Sequence, residues 1–493
     1  MAHRSSGARV PPALADAALF RQQAYVNGAW VAASDQATLT VYNPATQLAL
    51  GTVPKMPAAD VAAAVAAADA ALPAWRADTA RTRATLLRRW FDLCLAHQTD
   101  LATILTMEQG KPLAEAKAEI AYGSAFIEWF AEEARRVYGD VIPANTGGRR
   151  IVVVKQPVGV VATITPWNFP NAMITRKVGA ALAAGCTVVA KPASSTPYSA
   201  LALAELAERA GIPRGVFNVV TGSAAVVGGE LTSNPAVRKV SFTGSTEVGR
   251  TLLEQCAGTI KKVSMELGGN APFIVFADAD LDRAVQGALA SKFRNAGQTC
   301  VCANRIFVEA PVYDQFAIKL REAVLGLVVG DGLTPGVTIG PLIDEPAVVK
   351  VEEHIADAVA RGATIHVGGR RHGLGGTFFE PTILTDVAPG AKLMAEETFG
   401  PVAPLTRFTT EDEVIQMAND TEFGLASYFY TRDLARAWRV AEALEYGIVG
   451  INEGIVSTEV APFGGVKQAG LGREGSKYGI EDYLEVKYMC VGI

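Results

Sequence analysis

Between residues 158 and 267, short apolar and β-branched runs recur with helix-length spacers between them: VGVVATI (158–164), TVVAK (187–191), FNVVTG (217–222), VSFTG (240–244) and VSMEL (263–267). Strands that are apolar on both faces cannot lie at a surface, so these runs predict a parallel sheet covered by helices on both sides. The spacers put helix starts near Ala172, Ser199, Ala225 and Thr246. This is a doubly wound α/β arrangement, and such sheets collect ligands beyond the carboxyl ends of their strands. Upstream, residues 58–138 carry helical spacing. Leu86, Trp90, Leu93 and Cys94 form one stripe; Tyr122, Phe126, Trp129 and Phe130 form another. The Ala-rich stretch from Ala58 to Leu72 reads as a structural helix. A second round of strand and helix signals begins near Ala271: PFIVF, a helix from Leu281 to Phe293, the strand RIFVEA, and helices from Val312 and Ala347. The final GIEDYLEVKYMCVGI alternates like a strand whose partner lies in another sheet or subunit.

The 493 residues allow two to four domains at roughly 100 to 200 residues each. Apolar residues make up 49% and charged ones 19%, the balance of a folded globular protein, and the net charge of -5 gives nucleic acid no footprint. No apolar run approaches the roughly 18 residues of a membrane span. The opening MAHRSSGARVPPALADAALF lacks the uninterrupted apolar core of a signal peptide. Six scattered cysteines (Cys94, Cys186, Cys256, Cys300, Cys302, Cys490), with no CxxC and partnered His, point to a reducing cytoplasm and no metal.

Three segments carry chemistry as a set. FRNAGQTCVCANR places Cys300 in a helix-to-strand connection after Gly297, where the backbone can turn sharply and present the thiol. MELGG supplies Glu266 at a strand end, facing the expected crevice. TPWNFP stiffens the backbone around Asn168 with prolines, so that its amide can be aimed. Together they form a nucleophile, a base and an oxyanion donor. No GxGxxG follows the first strand; FTGSTEVG instead offers Gly244 and Gly249 around a helix start that suits a pyrophosphate.

TPWNFP, FTGSTEVG, MELGG, GQTCVCANR, EETFGP and PFGGVKQAGLGRE resemble, in order and spacing, the aldehyde dehydrogenase superfamily from about Phe20 onward. The resemblance implies a cofactor domain (1–136 and 156–268), an α/β catalytic domain (269–466) and a small β oligomerisation arm (137–155 and 467–493). It implies a catalytic Cys300, a general base Glu266 and an oxyanion-binding Asn168. Attack by the thiolate, hydride transfer to nicotinamide and hydrolysis of a thioester would follow. It puts the cofactor against Trp167, Lys191, Pro192, Ala193, Ser194, Gly244, Ser245, Leu267, Glu397 and Phe399. Many NAD-preferring relatives have Glu where this chain has Ser194. Ser194 beside Lys191 leaves room and positive charge for a 2′-phosphate, so NADP is the preferred cofactor, with NAD also accepted. The other reading of Ser194 is a helix cap.

NAMITRKVGAALAAGC, ALASKFRNAGQTCVCANR and EYGIVGINEGIVSTEVAPFGG narrow the resemblance to succinate-semialdehyde dehydrogenases, whose carboxylate-binding residues fall on Arg176, Arg294 and Ser457. Either arginine could instead be an ion-pair partner, though neither has an acidic neighbour in its local sequence. Phe463 is an apolar wall of that pocket or ordinary core. Glutarate semialdehyde, one methylene longer, is the alternative substrate. A thiol hydrolase is disfavoured, because the five histidines lie in no motif near Cys300 or Glu266; a non-catalytic scaffold is disfavoured by the intact nucleophile and base. A homodimer or homotetramer is expected, and Cys302 is a candidate redox partner of Cys300, or else simply packed.

Overall fold

The computed structural model of the chain describes residues 12–493; the opening stretch, expected to be no signal peptide, lies, through residue 11, outside the described residues. The apolar runs become five parallel strands, in the order Lys262–Glu266, Val237–Thr243, Val160–Ile164, Thr187–Lys191, Phe217–Val219. The chain steps outward from Val160–Ile164 to Phe217–Val219, then returns to the other side of its starting strand. Connections therefore diverge between Val160–Ile164 and Val237–Thr243, which leaves a crevice beyond their carboxyl ends. Thr165 to Asn168 and Gly244 to Ser245 follow directly from those ends. All five residues of Val160–Ile164 and of Thr187–Lys191 are buried, as strands covered on both faces must be. The covering helices Ala172–Ala184 and Tyr198–Ala210 both stop at a left-handed glycine, Gly185 (φ 96°) and Gly211 (φ 90°).

Ala24–Val26 and Ala29–Val31 form a hairpin on one edge of this sheet. On the other edge Gly470–Leu471, from the segment expected in the arm, pairs antiparallel with Met265 and Glu266. The helical region comprises Ala58–Ala77, Ala80–Ala96, Gln98–Gln109 and Leu113–Glu133. Ala58–Ala77 is the one described helix long and apolar enough to cross a membrane by length and composition. In the fold it packs on Thr187–Lys191 and on helix Ala224–Ser233, with Val61, Val65, Ala68 and Trp75 buried.

The second sheet runs Thr364–Val367, Thr382–Thr385, Val402–Phe408, Ala303–Glu309, Ala271–Val275, Ala426–Tyr430, Ile448–Ile451, parallel except for the first pair. Residues 267–270 link the two sheets, so the carboxyl ends of the first face the segment that leads into Ala303–Glu309 of the second. A third sheet pairs Leu484–Gly492 with Arg149–Pro157 along their whole length, and Asp140–Ile142 adds to its edge. Val486, Tyr488 and Val491 are exposed on it.

Candidate active site

Cys300 follows a tight turn. Asn295 (φ 52°) and Ala296 (φ 56°) adopt left-handed backbone conformations that non-glycine residues seldom take. At Gly297 (φ 74°) a Cβ would stand 2.1 Å from the Gly400 carbonyl oxygen, so only glycine fits. Side-chain contacts from other elements hold this strained turn: Glu115 Oε2 accepts from the Asn295 N–H (2.8 Å), and Asn295 Nδ2 donates to the carbonyls of Asn168 (3.0 Å) and Gln298 (3.1 Å).

Asn168 is buried and fixed from the same side. Its Nδ2 donates to the Gln298 carbonyl at 3.1 Å, which leaves its second N–H for a ligand oxygen. The Asn168 carbonyl also accepts from Lys111 Nζ (2.7 Å), whose ammonium pairs with Glu119 (2.6 Å) and lies over the Phe169 ring (3.8 Å). Glu119 Oε1 in turn accepts from the N–H groups of Asn171 and Ala172 at the start of helix Ala172–Ala184. Sequence reasoning missed Lys111, Glu115 and Glu119; GKPLAEAKAE reads as an ordinary helix start, and nothing local ties it to residues 168 or 295.

Glu266 ends its strand buried, with neither carboxylate oxygen hydrogen-bonded among the described residues. Burial raises its pKa well above the usual carboxylate range. The charge of Glu474 adds to that rise, and Arg176, Lys177 and Arg473 oppose it. Glu474 pairs with both Arg176 and Lys177. Burial alone would raise the Glu474 carboxyl, but those two cations hold it below its ordinary value. Arg176 Nε and Glu474 Oε2 sit within ion-pair distance without hydrogen-bond alignment. The acidic partner absent from Arg176's own stretch of sequence is thus supplied from 298 residues away. Arg294 has no ion pair among the described residues; its guanidinium lies 5.2 Å from the Phe169 ring centroid.

Two cavities meet at Cys300. The larger, of about 670 Å³, is walled by Trp167, Asn168, Lys191, Ala193, Ser194, Gly244, Ser245, Leu267, Lys350, Glu397 and Phe399. Pro192, expected in this set, is not in the wall; its carbonyl accepts from Lys191 Nζ (3.2 Å). Lys350 was not anticipated. The buried Lys191 ammonium has no carboxylate partner among the described residues, and burial lowers its pKa to about 8. Burial raises Glu397 to about 7. Thr165 and Thr243 have buried hydroxyls without hydrogen-bond partners among the described residues. An unmatched cation and orphaned hydroxyls in the wall of a large cavity suit a polar anionic dinucleotide. Ser194 does not cap the next helix: its hydroxyl donates to the Gly222 carbonyl (3.0 Å), and Glu108 receives the Tyr198 and Ser199 N–H groups. Gly249 has a packing role, because a Cβ there would lie 2.4 Å from the Leu267 side chain.

The smaller cavity, about 10 Å³, is lined by Tyr122, Phe169, Met173, Arg176, Arg294, Thr299, Cys300, Val301, Ser457 and Phe463. The three expected carboxylate-binding residues therefore converge on one space, and the Phe463 ring lies 4.1 Å from the Arg176 guanidinium. Cys300 is partly exposed to both cavities. Burial pushes its thiol up to about 12, with the Arg176 and Arg294 charges opposing. Cys302 lines neither cavity; it is buried, accepts from Lys292 Nζ (3.3 Å) and donates to the Lys292 carbonyl (3.5 Å).

Residues 30–489 match the model of the aldehyde dehydrogenase family. The chain is 69% identical over 480 residues to the NADP-dependent succinate-semialdehyde dehydrogenase of Escherichia coli, covering 97% of this chain and all of that one. It is also 69% identical over 479 residues to a glutarate-semialdehyde dehydrogenase of Pseudomonas aeruginosa, covering 97% and 99% of the two chains. The crystal structure of succinate-semialdehyde dehydrogenase from Burkholderia pseudomallei superposes with a TM-score of 0.97 at 64% identity, over 97% of this chain and all of that one. With the order of the strands, the Cys300 turn and the paired cavities in place, the chain belongs to the aldehyde dehydrogenase family.

Proposed function

We propose that this protein oxidises succinate semialdehyde to succinate with NADP, accepting NAD less well, and that glutarate semialdehyde is its nearest alternative substrate. The observation that carries this reading is the position of Cys300 at the junction of two cavities. One is large, about 670 Å³, with Lys191 and Glu397 set in a mainly apolar wall, and fits a dinucleotide; the other is small and holds Arg176, Arg294 and Ser457. A carboxylate held by the guanidinium groups would present the far, aldehyde end of a short chain to the thiol.

In the chemistry we propose, Cys300 Sγ adds to the aldehyde carbon as its proton passes to solvent water. The resulting oxyanion accepts from the free N–H of the Asn168 amide and from the Cys300 N–H. Bound nicotinamide supplies the hydride acceptor. A thioester remains on Cys300, and Glu266 takes a proton from the water that hydrolyses it. A carboxyl raised by burial is suited to this role, since a base works best when its pKa approaches the working pH. Lys191 and the Ser245 end of helix Thr246–Ala257 would hold the dinucleotide's ribose and phosphates, with Glu397 and Phe399 towards the nicotinamide end. The cofactor part would comprise 1–136 and 156–268, the catalytic part 269–466, and 137–155 with 467–493 an arm joining subunits into a homodimer or homotetramer. All six cysteines are free, which fits a cytoplasmic setting.

The test is reduced-nicotinamide absorbance with succinate semialdehyde, glutarate semialdehyde and butyraldehyde, each with NADP and with NAD. Succinate semialdehyde with NADP should give the highest kcat/KM. Preference for butyraldehyde would reduce the assignment to a general aldehyde dehydrogenase.

A further inference from the structure

We propose that the Tyr122 hydroxyl is a further donor to the substrate carboxylate, acting beside Arg176, Arg294 and Ser457 to select charged over neutral aldehydes. By spacing, Tyr122 belongs to an apolar helical stripe with Phe126, Trp129 and Phe130, and by that pattern it is core. The structure gives its ring and its hydroxyl different surroundings. The ring meets Phe126 edge-on, with centroids 5.0 Å apart, and Phe126 lies 5.4 Å from the Arg176 guanidinium. Helix Leu113–Glu133, which carries Tyr122, packs directly on Ala172–Ala184, which carries Arg176. The ring is therefore fixed against the element that supplies the first arginine.

The hydroxyl is buried and has no hydrogen-bond partner among the described residues, and the side chain lines the small cavity with Arg176, Arg294, Cys300 and Ser457. Buried polar atoms are nearly always paired, so an orphan in the wall of a ligand cavity points to a partner that arrives with the ligand. Burial raises the phenol's pKa although Arg176 and Arg294 oppose it, so the group keeps a proton to donate. The anion also has room for this donor. Arg176 already shares its charge with Glu474, and an ionised carboxylate offers about four lone-pair sites. Two guanidinium groups, Ser457 and Tyr122 together can fill them. A neutral aldehyde of the same length has nothing for the hydroxyl to meet, and its binding would leave the orphan buried.

This inference rests on the semialdehyde reading above, and the experiment separates the two. Tyr122→Phe is compared with wild type on succinate semialdehyde and on butyraldehyde, together with thermal unfolding of both proteins. The expected result is a loss of roughly 10- to 100-fold in kcat/KM for the semialdehyde, the size of a lost hydrogen bond to a charged group. Butyraldehyde should be little changed and the Tm no lower, because the hydroxyl has no partner to lose among the described residues. Equal losses with both substrates would overturn the proposal, placing the hydroxyl at the reacting carbonyl or in helix packing. Unchanged kinetics in a wild type that prefers the semialdehyde would overturn Tyr122 alone. Wild-type preference for butyraldehyde would overturn both readings.

Discussion

Arg176 and Arg294 line one cavity, yet replacing them should have different consequences. Arg294 has no ion pair among the described residues, so Arg294→Ala removes a charge-assisted donor and strands no buried anion. Its loss should cost about 1.5–3 kcal/mol of transition-state binding, or roughly 10- to 100-fold in kcat/KM for succinate semialdehyde. Butyraldehyde turnover and the unfolding midpoint should stay near wild type. Arg176 is 1% exposed and paired with Glu474, which also holds Lys177. Removing one partner of a buried pair costs about 3–5 kcal/mol, and the remaining Lys177 should keep the loss near the lower end, about 3 kcal/mol. Glu266 would also lose the first of the cations that oppose its raised pKa. Arg176→Ala should therefore be less stable and slower with both aldehydes. The assay is steady-state kinetics with each aldehyde beside denaturant unfolding of each variant. If Arg176→Ala were as stable as wild type and impaired only with the semialdehyde, the Glu474 pairing would not have the energetic role given to it.

Because burial and Glu474 raise the Glu266 carboxyl, deacylation should fall as pH drops through that raised pKa; a rate that stays flat down to the ordinary carboxylate range would exclude Glu266 as base. Burial lowers the Lys191 ammonium to about 8, so NADP affinity should hold below that pH and weaken above it as the proton is lost, with NAD less affected. Equal pH slopes for the two cofactors would remove Lys191 from the 2′-phosphate, and Ser194→Glu should raise the Michaelis constant of NADP much more than that of NAD. For Cys302 to be the redox partner of Cys300, its thiol must leave Lys292, and a disulfide between the two would be strained and readily reduced. Cys302→Ala should then lose the reductant-reversible part of peroxide inactivation; identical recovery in both proteins would end that idea.

The central strands were legible because each is rich in apolar and β-branched residues and bounded by helix-length spacers, a pattern set by local sequence. The trio of Cys300, Glu266 and Asn168 could be read because each sits in a short segment whose glycines or prolines mark an unusual backbone. What escaped depends on distant pairing. Val402–Phe408 contains Pro404, and Ile448–Ile451 contains Gly450, so neither reads as a strand until its parallel neighbour is known. Gly470–Leu471 is a strand only because Met265 and Glu266 lie beside it. Lys111 and Glu119 serve Asn168 and helix Ala172–Ala184 across more than 50 residues, and Glu474 reaches Arg176 and Lys177 across nearly 300. The Tyr122 hydroxyl escaped for another reason, since helical spacing describes which face a residue occupies and nothing about where its polar tip ends.

Trapping the covalent intermediate tests the proposed chemistry most directly. Glu266→Gln, mixed with succinate semialdehyde and NADP, should give a burst of reduced nicotinamide and then stall, because hydride transfer precedes the step that needs the base. Mass spectrometry of the quenched protein should find a succinyl group on the peptide that carries Cys300, and none on the Cys300→Ala protein. Full steady-state turnover by Glu266→Gln, or an acyl group on any residue other than Cys300, would contradict it.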